Sequence, residues 1–185
     1  MPEHAPAVRV IGLGSPFGDD RIGWQVVALL AEQSLPAGAD AVSCENPGRD
    51  LLPLLDGMPH VILVDALRGA GHPGEIVRCT HDDLAKAPSR WSSHGLGVVD
   101  MLGLADCLGC LPARLEIIGI EVGSDIGSED LEGLSPGLLM SPAVVRGGEY
   151  LAVMLRSEIA SICRERAEQS AAALAAKNAC LEEYA

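Results

Sequence analysis

Residues 60–66, HVILVDA, constrain the fold of this chain more than any other stretch. Read as a strand, they are apolar on both faces. A strand with one wet face would alternate, so this one belongs at the centre of a parallel sheet covered by helices on each side. Four further segments read as strands around it: VRVIGLG at 8–14, ADAVSCE at 39–45, GEIVRC at 74–79 and RLEIIGIEVG at 114–123. Between them the apolar period changes from two to about 3.6. From Asp20 onward Ile22, Val26, Val27, Leu29 and Leu30 recur at helical spacing, with Asp19 or Asp20 placed to cap the helix. A second helix is expected from Asp50 to Leu55. A third spans Gly95 to Gly109, with Leu96, Val99, Leu102 and Ala105 on one face. Ser141-Pro142 opens a last helix, whose inner side should carry Val144, Val145, Leu151, Met154, Leu155, Ile159 and Ile162. Strands alternating with helices predict a three-layer α/β/α fold with a five-stranded, mostly parallel twisted sheet.

One domain accommodates all 185 residues, with a core of about 8–163 and a helical or frayed extension at 164–185. Hydrophobic residues make up 48% of the chain and aromatics 3%, so the core is built from Leu, Val, Ile and Ala. Net charge is −13, and no basic patch is legible. Nucleic acid and anionic lipid are therefore poor partners, whereas a cationic segment or a metal ion suits the charge. The start, MPEHAPAV, lacks the basic and apolar regions of a secretory signal, and no apolar run approaches the roughly 20 residues that span a bilayer. The expected location is the cytoplasm, with the six cysteines as free thiols. Cys107 and Cys110 form a lone CxxC without the second pair that zinc would want, and read as incidental.

Ligands of open α/β sheets collect at the carboxyl ends of the strands. Asp19 and Asp20 follow the first strand, Asp65 closes the third, His94 follows the fourth and Glu121 ends the fifth. A dinucleotide loop does not fit GLGSPFGDDRIG at 12–23. The glycine spacing is wrong for it, and two aspartates would face the pyrophosphate. Two carboxylates and an imidazole from separate strand ends instead make an oxygen/nitrogen donor set for a divalent ion. Each also has a structural explanation: Asp20 as a cap, Asp65 as a turn-closing acid, His94 as a loop histidine. The remaining histidines, His4, His60, His72 and His81, read as structural.

GLGSPFGDDRIGWQV, HVILVDALRGAGHPGEIV, SSHGLGVVDMLGLADCLG and RLEIIGIEVG, in that order, resemble the hydrogenase maturation proteases. These endopeptidases trim the C-terminal tail of the NiFe-hydrogenase large subunit. The likeness spans about Val8 to Ile162. It implies a nickel-recognising and catalytic site made of Asp20 (the second of the paired acids), Asp65 and His94, with Asp19 left to cap the helix and stiffen the turn. The nickel would arrive in the substrate. The implied partner is the large-subunit precursor, cut after nickel insertion by a metal-bound water or by a carboxylate base. Two features depart from the family pattern. The glycine–acid loop is one residue shorter, and SCENPGRD, with Ser43, replaces an acidic stretch associated with substrate choice. The rival readings are a non-catalytic nickel-sensing chaperone and an acid-pair hydrolase of small molecules.

Overall fold

A computed structural model describes residues 6–32, 34–69, 71–80, 83, 98–123 and 139–182. The five strands are β1 (Val8–Leu13), β2 (Ala39–Cys44), β3 (His60–Leu67), β4 (Ile76–Cys79) and β5 (Arg114–Glu121), in spatial order β2-β1-β3-β5-β4. Four are parallel, and the short β4 runs antiparallel to β5 at one edge. All eight residues of β3 are buried, as its two apolar faces require. The helices are α1 (Ile22–Ala31), α2 (Pro47–Leu55), α3 (Val98–Leu108) and α4 (Pro142–Glu182).

Strand alternation divides the core in two. Val8, Val10, Ile62, Val64, Ile118 and Ile120 pack against Ile22, Val26 and Leu30 of α1 and Leu151, Leu155 and Ile159 of α4. On the other face Ile11, Leu13, Leu63, Leu67 and Ile117 meet Leu51 and Leu55 of α2 and Met101 and Leu102 of α3. The chain is therefore the three-layer sandwich its strand–helix alternation predicts.

Several boundaries move. The first helix begins at Ile22, because Gly18–Arg21 form a separate 3-10 turn ahead of it. The second begins at Pro47, whose fixed φ suits a first turn. Met154 is exposed rather than inward-facing: the buried stripe of α4 runs through Leu151, Leu155 and Ile159, and Met154 falls outside it. His60 is structural, as expected. It is buried at the amino end of β3, 2.9 Å from Glu116, which also accepts from Arg78 and Arg114. Burial lowers the imidazole pKa, against the opposing pull of Glu116. Cys107 is exposed and Cys110 half-buried, both as free thiols.

Beyond Cys163, α4 continues as helix to Glu182 instead of fraying, and residues 164–173 are exposed. Arg166 and Ser170 only line an open cleft of about 580 Å³ at the amino ends of the strands, shared with Gly57, Met58 and Cys110. Deleting residues 168–185 is therefore expected to change stability by less than about 0.5 kcal/mol, the range of ordinary surface changes. Chemical denaturation of the truncated chain checks this. A loss above roughly 2 kcal/mol would show that the tail packs on the core.

Candidate active site

The glycine–acid loop is shaped by close packing. A Cβ on Gly23 would collide with the carbonyl oxygens of Leu13 and Val64, and one on Gly12 with the carbonyl of Gly23. The first turn of α1 thus lies directly on the backbones of β1 and β3, closer than any side chain allows. This seats the preceding 3-10 turn, Gly18–Arg21, over the carboxyl end of the sheet and in contact with β3. The glycines bring a helix onto the sheet.

Within this turn the backbone of Asp20 is pinned at both ends. Its N–H donates to the Phe17 carbonyl at 3.2 Å, and its own carbonyl accepts from Ser15 N–H at 3.3 Å. Gly14 leaves room for that carbonyl, which an added Cβ would meet at 2.5 Å. The half-buried Asp20 therefore has a fixed place beside the strand that carries the second acid.

Asp65 sits inside β3, two residues before its end, and is 1% exposed. By strand parity it shares the α2/α3 face with Leu63 and Leu67. Its Oδ1 accepts the Ala66 N–H at 2.8 Å. On the same face lies Cys44, the last residue of β2, paired with Leu13 in the sheet register. The Cys44 thiol is pushed up to about 11, chiefly by burial and further by Asp50, with Asp65 contributing. A thiol raised in this way is a weak nucleophile at neutral pH. Trp24 Nε1 donates to the Cys44 carbonyl at 3.4 Å and ties α1 to this end of β2.

The third expected ligand, His94, lies outside the described residues. Among the described residues no group of three or more His, Cys, Asp and Glu is arranged to hold a metal ion. The two acids are thus placed at one end of the sheet, one in the turn that touches β3 and one within β3. Glu121, also at a strand end, is committed to the backbone: it is buried, and its Oε1 accepts the Gly69 N–H at 2.8 Å.

Asp19 departs from its expected role. It caps neither the 3-10 turn nor α1, both of which start without a side-chain cap. Instead its carboxylate accepts the N–H and the hydroxyl of Ser141, at 2.5 and 2.9 Å. Ser141 was legible as the residue that opens α4, but a partner 122 residues away leaves no local signal. Beside the carboxyl end of β2, exposed Ser43 lines a shallow cleft of about 390 Å³ with Glu45, Arg49, Asp50, Pro53 and Leu54.

Known proteins share this architecture. Escherichia coli HybD, a hydrogenase maturating endopeptidase, superposes with a TM-score of 0.65 at 22% identity, over 83% of this chain and 92% of that one. In sequence, the Hydrogenase 2 maturation protease of Escherichia coli K12 is 26% identical over 167 residues, 85% of this chain and 96% of that protein. The hydrogenase expression/formation protein HupD of Rhodobacter capsulatus is 30% identical over 126 residues, 65% of this chain but 60% of HupD. The hydrogenase maturation protease family model HycI matches residues 27–136, a stretch that begins after Asp20 and contains Asp65 and His94. That match covers more than half of the 185 residues, and the chain belongs to the hydrogenase maturation protease family.

Proposed function

We propose that this protein is the endopeptidase that removes the C-terminal extension of a NiFe-hydrogenase large-subunit precursor once nickel has been inserted. The observation that carries the reading is the buried carboxylate of Asp65 near the carboxyl end of the central strand, with the pinned Asp20 turn resting on that strand. Asp20, Asp65 and His94 are the proposed donors. Carboxylate oxygens and an imidazole nitrogen form a set that a divalent nickel ion accepts. The nickel belongs to the substrate, so recognition doubles as a checkpoint: a precursor without it offers these donors nothing to bind.

Hydrolysis needs a water oxygen to add to the scissile carbonyl carbon, a base to take its proton, and return of a proton to the departing amine nitrogen. Asp20 is the proposed base, at the half-buried and more accessible position. Buried, protonated Cys44 is unsuited to nucleophilic attack. Ser43 and the cleft beside it are the proposed place where one precursor is told from another. No helix among the described residues is long and apolar enough to cross a membrane; the proposed place of work is the cytoplasm.

The test mixes purified protein with nickel-loaded and nickel-free precursor and weighs the large subunit by mass spectrometry. Cleavage of the loaded form alone is expected. Equal cleavage of both would remove the nickel checkpoint and leave a protease. Tight binding to the loaded form without cleavage would identify a chaperone. Turnover of small amides without any precursor would favour a small-molecule hydrolase.

A further inference from the structure

We propose that Asp19 is a positioning residue: by clasping Ser141 it locks the 3-10 turn that presents Asp20, and so sets the rate of cleavage without touching the substrate. The inference rests on Asp20 acting as proposed above. Asp19 is a buried acid, 6% exposed, with no part in the hydrolysis proposed above. Both of its oxygens are spent on one residue, Oδ1 on the Ser141 N–H and Oδ2 on the Ser141 hydroxyl. Ser141 is the residue from which α4 starts, and its carbonyl accepts the Val145 N–H at 3.0 Å. An acid in one turn thus satisfies the N–H of the residue that opens a helix, 122 positions along the chain.

The anchor at the other end is rigid. The first turns of α4 pack on the body through two glycines: Gly148 lies against Ile22 at the start of α1, and Gly147 against Gly74 ahead of β4. Asp19 therefore ties the turn to a helix held against α1 and against the turn ahead of β4. Within the turn, Gly18 has φ +49 and Phe17 is 67% exposed, so neither residue supplies local apolar packing to hold it. Asp20 follows Asp19 directly, and its backbone bonds, at 3.2 and 3.3 Å, are longer than the clasp. Releasing the clasp removes the two bonds that join this turn to the start of α4. A displacement of about 1 Å in a reacting group costs on the order of a hundredfold in rate.

The experiment uses the full chain and nickel-loaded precursor. It measures kcat and KM together with amide hydrogen exchange at Phe17–Arg21. Asp19→Ala is expected to raise exchange at Asp20 about tenfold or more. It should lower kcat on the order of a hundredfold and move KM less than about threefold. Asp19→Asn keeps both contacts, with its amide oxygen accepting the Ser141 N–H and its NH2 donating to the Ser141 hydroxyl, and should restore kcat to within about fivefold. Should Asp19→Ala fail to fold, Ser141→Ala removes only the hydroxyl bond and should show the same effects in smaller measure. Wild-type kcat in a folded Asp19→Ala or Ser141→Ala protein, while Asp20→Ala is inactive, overturns the positioning role and leaves the site intact. Asp20→Ala cleaving at the wild-type rate overturns both. Loss of kcat in Asp19→Ala that Asp19→Asn does not rescue also overturns the positioning role, because the charge and not the clasp would then matter.

Discussion

Gly23→Ala is expected to cost about 3 kcal/mol, the upper part of the range for overpacking a closed contact. One methyl group has this effect because of where it would go. The added Cβ would fall on the carbonyl oxygens of Leu13 and Val64 and near the Leu13 N–H, all three of them sheet backbone. A side chain can turn away from such a clash, but these peptide groups are held in the ladders joining β1 to β2 and β3. The helix must lift instead. Lifting α1 opens the packing of Ile22, Val26 and Leu30 and carries the Asp20 turn away from β3. Calorimetry should show a fall in Tm of about 10 °C for a chain of this size, and the surviving folded protein should cleave slowly. Gly103→Ala is the matched control. It lies on the exposed face of α3 with nothing within 4 Å of the added Cβ, so a stability gain of up to about 1 kcal/mol is expected there. If Gly23→Ala melted like the wild type, the close seating of α1 on the sheet would be wrong.

Where the sequence could be read and where it could not follows from the range of each interaction. β3 was legible because burial on both faces writes itself into consecutive residues. α4 was legible at its start because Ser-Pro is a local signal, yet Met154 was placed on the wrong side. Over a long helix apolar residues outside the stripe look like those within it, and only Leu151, Leu155 and Ile159 meet the core. The start of α1 was misplaced by two residues because Asp19 and Asp20 look like capping acids. One of them answers to Ser141 instead, and no local pattern records a bond across 122 residues. Asp65 was visible as an acid ending an apolar run, but its residence inside the strand, 1% exposed, depends on what surrounds it. The role proposed for Asp20 and His94 rests on resemblance, because ligands far apart in sequence would have no spacing to recognise.

Asp65→Asn is expected to fold at least as stably as the wild type and to lose cleavage of nickel-loaded precursor by on the order of a hundredfold or more. The two halves of that expectation have separate causes. Asn has the shape of Asp, and its amide oxygen can still accept the Ala66 N–H that Oδ1 holds at 2.8 Å. Removing a charge from a site that is 1% exposed also relieves the desolvation that a buried carboxylate carries, which favours the folded state. Recognition has every reason to. A neutral amide is a poor donor to a divalent ion, and the attraction between a buried negative charge and the substrate's metal is strong because little water screens it. Asp20→Asn should lose at least as much, since the same change also removes the proposed base. His94→Ala and His94→Gln should fail as well, because neither offers an imidazole nitrogen. The measurement pairs a melting curve with the mass-spectrometric cleavage assay for each variant. An Asp65→Asn protein that melts normally and still cleaves at the wild-type rate would place the chemistry elsewhere on the sheet. One that unfolds would make Asp65 a structural acid, with its charge required by partners within the fold.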